Sequence, residues 1–325
     1  MRILVFGGTG FVGLNIAAVL LAHGHAVTLF DRAGVPPDAK SEFALHASRL
    51  TVIQGDIRDH QAVEAVIAAG YDAIILGAAI TAGPEREATD PETILQVNLL
   101  AQTPVLIAAR RHGVGRIINL SSAAAYGTSV FGNQPLAEET ACDPVSLYAI
   151  TKLASEKIAA RLATLWQTEI ISVRLSAVFG PWERTNDVRD TPSPQAQILA
   201  MLQAGREAVL SRPGVRDWIY AVDVAEAVTL LVEASKPKHP LYNISTGAEW
   251  SALQWGRQLA ALHPGFICRL AEAGEAPTVN LHSAADRAPL SVSRLADEFG
   301  WRARFGCADS AADLSVWWTA HRGET

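Results

Sequence analysis

Along the first half of the chain, short runs of β-branched and aromatic residues alternate with longer stretches in which apolar residues recur three and four positions apart. The first pattern suits strands buried on both faces, and the second suits amphipathic helices. Strands are predicted over residues 2–6, 26–30, 50–54, 72–76, 115–120 and 169–175, and helices over 11–23, 60–69, 91–111 and 146–166. Strands joined by crossover helices wind a parallel sheet covered on both faces, so the chain reads as α/β with a doubly wound parallel sheet. Beyond residue 175 the alternation stops: residues 180–194 are rich in Pro, Asp and Arg, and the later elements are short and irregular. Residues 1–175 are therefore expected to form the main unit and 176–325 a smaller C-terminal α/β lobe. One apolar helix, near 223–233, is expected to return to the first unit.

With 325 residues, 49% of them hydrophobic and 18% charged, the chain has enough apolar material for a large core or two. Disorder, fibrous repeats and coiled coils are excluded by the same figures. A net charge of −6 argues against a nucleic-acid partner or an anionic membrane surface, both of which select basic faces. Three cysteines, Cys142, Cys268 and Cys307, show none of the close spacings of a disulfide framework or zinc site. Together with the lack of an apolar run of about 18 residues or a secretory leader, this points to a reduced, cytoplasmic protein. Nine histidines are scattered without metal-ligand spacing, and neither HExxH nor a GK[ST] phosphate loop occurs, so no metal is expected. Trp317 and Trp318 suit an amphipathic C-terminal helix packed on the core or on a second subunit.

The first turn carries the first chemical signal. Gly7-Gly8-Thr9-Gly10-Phe11-Val12-Gly13 follows a strand and opens a helix, the context a dinucleotide fingerprint requires. Glycines let backbone N–H groups approach a pyrophosphate, and the helix start adds partial positive charge. This makes Gly7, Gly10, Phe11, Val12 and Gly13 candidate cofactor contacts and residues 1–175 a Rossmann-type NAD-binding domain. Asp31 closes the second strand, where a carboxylate can accept from the adenosine ribose hydroxyls. Its charge repels a 2′-phosphate, which favours NAD over NADP, with Arg32 partly offsetting the repulsion. Asp56 and Ile57, in GDIRD after the third strand, stand where the adenine would lie.

Tyr148 and Lys152 occupy positions i and i+4 of one predicted helix and so share a face. Chance would give about 0.08 such pairs in this composition, and this is the one that occurs. A phenol whose pKa is about 10 acts as a base near neutrality only if brought down by about 3, worth about 4 kcal/mol. A fixed ammonium beside it and a positive nicotinamide ring can supply that together. Ser121 and Ser122 end the fifth strand, at the carboxyl edge where open α/β sheets place ligands. Ser122 is the candidate donor to a substrate oxygen, and Ser121 reads as an ordinary strand-end hydroxyl.

GGTGFVG, Asp31, GDIRD, the VNLLAQTPVLIAA segment around Asn98, SSAAAYG, YAITK and GVRDWIYAVDVAEAV occur in an order that resembles the extended short-chain dehydrogenase/reductase family. The resemblance covers most of the chain and is to the branch of NAD-dependent UDP-glucose 4-epimerases and nucleotide-sugar dehydratases. It implies that Tyr148 is the acid/base, that Lys152 binds the nicotinamide ribose and tunes Tyr148, that Ser122 polarises the reacting oxygen and that Asn98 lies near the cofactor. It also implies a homodimer built on a four-helix bundle. Arg216 and Arg287 match residues that hold a substrate diphosphate, a task suited to guanidinium forks. Ala177 stands where relatives commonly carry Asn, and the segment between Arg174 and Arg216 is compact, which opens the alternative of a smaller substrate. Arg86, after the fourth strand, is then a candidate for meeting a carboxylate. Ala123 and Ala124 stand where dehydratases of the family carry acidic residues, which leans away from dehydration. The expected function is an NAD-dependent sugar-modifying oxidoreductase or isomerase, foremost a nucleotide-sugar 4-epimerase acting through a keto intermediate. The alternative is an NAD-dependent dehydrogenase of a free sugar, sugar acid or small hydroxy acid.

Overall fold

A computed structural model describes residues 1–132, 134–184, 188–283 and 285–321. The six expected strands form as β1 (Arg2–Phe6), β2 (Ala26–Asp31), β3 (Leu50–Gln54), β4 (Ala73–Leu76), β5 (Arg116–Ser122) and β6 (Glu169–Leu175). A strand's period of two sorts β1 between two cores. Ile3 and Val5 enter a cluster with Leu14 and Ile16 of helix α1 (Phe11–Ala22) and with Val224 and Val228 of the helix Ala221–Glu233. Leu4 and Phe6 enter the opposite cluster with Val63, Ile67 and Val105. Ile3, Leu4, Val5 and Phe6 are all fully buried, the mark of a parallel strand covered on both faces.

The sheet has a seventh strand that the six-strand expectation lacked. Leu241–Ile244 pairs in parallel with β6, Asn243 beside Arg174, and the order runs from it through β6, β5, β4, β1 and β2 to β3. Four residues after an irregular stretch carry too little periodicity to be read as a strand, and only pairing with β6 defines them. The strand order reverses between β1 and β4, so a crevice opens at their carboxyl ends.

The helix expected over 91–111 is also interrupted. It divides into Pro91–Leu95, a π-helical turn over Gln96–Leu100, and Gln102–Arg111. Pro104 has no N–H to return to the carbonyl four residues back, so it sits in the first turn of the last segment, where that bond is dispensable. The wider turn directs Asn98 inward, where it is completely buried.

A third core lies beyond the sheet, built on Phe179, Trp218, Tyr220, Trp250 and Trp255 and braced by the C-terminal helix Cys307–Ala320. Trp318 is buried in that helix, and Trp317 meets Trp182 edge-on with ring centres 5.7 Å apart. Among the described residues no helix is long and apolar enough to cross a membrane.

Candidate active site

The glycine turn is shaped by close approach. Gly7 has φ of +75°, and a Cβ there would lie 2.6 Å from the backbone nitrogen of Ala78, across the β1–β4 crevice. A Cβ on Gly13 would lie 2.3 Å from the carbonyl oxygen of Gly7. Gly10 is the N-cap of α1 and has no side chain to satisfy the first helical N–H groups, which leaves them for an anion. Gly7, Gly10, Phe11, Val12 and Gly13 all line one cavity of about 560 Å³. A cradle that only glycine fits, opening on unsatisfied amides, fits a dinucleotide pyrophosphate. Gly13→Ala is accordingly expected to strain the turn by about 1–3 kcal/mol and to weaken NAD binding at least about tenfold, measured by calorimetric titration.

At the other end of the cradle, Asp31, Arg32, Asp56 and Ile57 line a smaller cavity of about 120 Å³ together with Gly7 and Gly10. Asp31 Oδ2 accepts from the Thr9 N–H at 3.1 Å, which fixes the carboxylate against the glycine turn. Asp56 is clamped by Arg58, whose Nη2 donates to Oδ2 at 2.6 Å and whose Nε donates to both carboxylate oxygens. That hydrogen bonding holds the Asp56 carboxyl below its usual range. Ile57 is buried beneath this end of the cavity.

Asn98 lies one layer back. Its Oδ1 accepts from the Ile80 N–H at 2.7 Å and its Nδ2 donates to the Ile80 carbonyl at 2.9 Å, so the amide pins the segment after β4. It shapes the cavity wall through Ile80 instead of facing the cavity.

Ser122, Tyr148 and Lys152 converge on the large cavity. Ser146 caps the helix Leu147–Trp166 by accepting from the Ala149 N–H at 3.2 Å, and this places Tyr148 and Lys152 in its first two turns. The Lys152 ammonium donates to the Leu120 carbonyl at 2.7 Å and stands 5.7 Å from the centre of the Tyr148 ring. Lys152 is only 3% exposed, so its charge acts in a medium that screens it weakly. Ser122 Oγ accepts from the Ala124 N–H at 3.1 Å. Ser121 donates to Glu156, which lies one turn beyond Lys152 and forms a buried ion pair with Arg174 at 2.7 Å.

The far wall of the same cavity carries Arg216, Arg287, Arg189 and His282. Loss of solvent, with repulsion from Arg287, brings the Arg216 guanidinium down to about 10. Loss of solvent also lowers Arg287, against the attraction of buried Asp217. Among the described residues, Arg287 Nε and Arg189 Nε are buried without hydrogen-bond partners. His282 is brought down to about 4, mainly by loss of solvent and further by Arg216, Arg189 and Arg287, and so is neutral at pH 7. Arg189 is paired with buried Glu183 at 2.6 Å, whereas Arg216 and Arg287 crowd two guanidinium groups at this end of the cavity, a setting that suits an anion.

Arg86 does not line the cavity. Its guanidinium meets Asp190 at 3.3 Å, so the carboxylate it faces is the protein's own. The sequence reading did not single out Arg189 and His282, because they stand in irregular segments where no motif marks them. Glu156 was within reach, lying at i+4 from Lys152 on the same helical face.

The family model described as the NAD dependent epimerase/dehydratase family matches residues 3–245. A UDP-glucose 4-epimerase of Corynebacterium glutamicum is 29% identical over 272 residues, covering 78% of each chain. A dTDP-glucose 4,6-dehydratase of an Actinoplanes strain is 26% identical over 339 aligned positions, covering 99% of each. The crystal structure of the UDP-glucose 4-epimerase of Thermotoga maritima with UDP-glucose superposes with a TM-score of 0.80 at 20% identity, covering 98% of this chain and 99% of that one. With the glycine cradle, the Ser122, Tyr148 and Lys152 set and this match over most of its length, the chain belongs to the NAD-dependent epimerase/dehydratase family of extended short-chain dehydrogenases/reductases.

Proposed function

We propose that the protein is a nucleotide-sugar 4-epimerase that oxidises its substrate transiently to a keto sugar. The observation that carries this reading is the single cavity that joins Tyr148 and Ser122 to the cationic wall of Arg216 and Arg287. A sugar at the first end and a diphosphate at the second would use both.

Bound NAD supplies a hydride acceptor that can return the hydride within the same turnover. Tyr148 takes the proton of the substrate hydroxyl as the carbonyl forms and gives it back as the carbonyl is reduced. Lys152 favours the charged phenolate through its nearby ammonium, and Ser122 donates to the same substrate oxygen. Arg216 and Arg287 hold the diphosphate while the sugar turns over, presenting either face to the cofactor. Asp31 sits where it accepts from ribose hydroxyls and disfavours a 2′-phosphate.

The composition of the cavity supports epimerisation over dehydration. Dehydration needs a second acid/base to remove a neighbouring hydroxyl, and Ser122 is followed by Ala123 and Ala124. Among the described residues, Asp190 is the one acidic side chain lining the large cavity, and it is engaged with the Gly83 N–H and with Arg86.

Millimolar UDP is expected to raise the melting temperature, because a ligand selective for the folded state stabilises it by mass action. Arg216→Ala should remove that rise. No UDP-dependent shift in the unsubstituted protein contradicts the nucleotide-sugar assignment. Leu100, Ile107, Ile150 and Leu165 leave apolar surface on the two helical segments around Asn98 and Tyr148, which supports a homodimer pairing those helices. Light scattering on the eluting protein should return twice the chain mass.

A further inference from the structure

A second cluster of chemistry-bearing side chains lies away from the cavity, where α1 ends and β2 begins. Gly24 adopts φ of +87° between His23 and His25, and the reversal turns both imidazoles to one side, their ring centres 6.4 Å apart. Glu233, the last residue of the helix Ala221–Glu233, reaches the same point because that helix packs along α1. Its Oε1 lies 3.1 Å from His23 Nδ1 and 2.7 Å from His25 Nε2, and the three atoms lie within 4.8 Å of one another. Ligands of a tetrahedral zinc ion, at bonds of about 2.0–2.1 Å, stand roughly 3.3 Å apart. With every pair already within 4.8 Å, modest side-chain shifts would bring these three atoms to that spacing.

We propose that His23, His25 and Glu233 form a surface site for a divalent transition-metal ion of the zinc class, clamping the α1–β2 corner to the end of the helix Ala221–Glu233. Two imidazoles and one carboxylate are a borderline donor set that suits such an ion better than magnesium or calcium, which favour oxygen ligands alone. Three protein ligands leave a coordination position for water.

The outer ring nitrogens also have neighbours. His23 Nε2 lies 3.7 Å from Glu226 Oε2, an ion-pair distance from which a small shift gives the carboxylate-to-imidazole hydrogen bond that orients metal-bound histidines. His25 Nδ1 lies 3.3 Å from the Met1 nitrogen. Glu226 is shared with Arg304 at 3.5 Å. His25 is only 10% exposed and fixed, whereas His23 is 39% exposed and free to adjust.

The test uses the metal-free protein with its NAD, carrying no affinity tag, titrated with zinc chloride by calorimetry and followed by melting curves. One ion per chain and a rise in melting temperature of several degrees are expected. His23→Ala and Glu233→Gln should each abolish both, and Glu226→Gln should weaken binding about tenfold. Both first variants change exposed groups, and zinc-free melting temperatures equal to that of the unsubstituted protein would verify that they fold. Absence of saturable binding up to about 100 µM zinc, or binding that survives either first variant, overturns the proposal.

Discussion

Replacing Tyr148 by Phe is expected to lower turnover of a UDP-hexose about 10²–10⁴-fold, the range that a positioned acid/base contributes. The substitution removes one oxygen from a half-buried ring that lines the cavity. The ring stays, with Lys152 near its face and Ser146 capping the helix beneath it. Melting temperature and the UDP-dependent shift should therefore match those of the unsubstituted protein. Loss of turnover with intact UDP binding places the defect in proton transfer. Activity within about tenfold of the unsubstituted protein removes Tyr148 from the chemistry.

Glu156→Ala is expected to be the most damaging single change to stability. Arg174 is 2% and Glu156 5% exposed, and Arg174 Nε and Nη2 both donate to the carboxylate. Burial opposes the guanidinium charge, yet Glu156 holds Arg174 above its ordinary range. Arg174 also lies over the Tyr126 ring, 4.4 Å from its centre, and donates to the Glu138 carbonyl at 3.2 Å. Removing the carboxylate leaves a buried cation without its anion, which costs about 3–5 kcal/mol. At an unfolding entropy of about 2.1 cal/mol/K per residue, a chain of 325 residues shifts by about 1.5 °C per kcal/mol, so the melting temperature should fall by about 4–7 °C. The same change frees Ser121 from the helix that carries Tyr148 and Lys152, so turnover should fall as well. Denaturant titration that finds less than about 1 kcal/mol lost would contradict this account of the pair.

Most of the sheet was legible because its strands are continuous apolar runs, and a run such as Arg2–Phe6 has few other places to go. The glycine turn was legible because its demands are steric and local: Gly7 and Gly13 face backbone atoms that leave no room for a Cβ. Tyr148 and Lys152 were legible because helical spacing places them on one face. What escaped depends on partners far away in the chain. The strand Leu241–Ile244 is defined by β6, and Asn98 by Ile80 and the wider turn that Pro104 permits. Arg86 showed a charge but not that Asp190, 104 residues later, would meet it. His23 and His25 lacked a third ligand in the sequence because Glu233 stands 208 residues beyond His25. Short-range patterns carry local geometry, whereas electrostatic partners across the fold follow only from packing.

The central claim, transient oxidation at one sugar carbon with return of the same hydrogen, is tested most directly by following deuterium. The purified protein would be given UDP-glucose deuterated at C4, with NADH absorbance recorded and the product read by NMR. The account predicts UDP-galactose that keeps the deuterium on C4, with no net NADH. Deuterium on another carbon of the sugar, or lost from it as reduced cofactor accumulates, would contradict it.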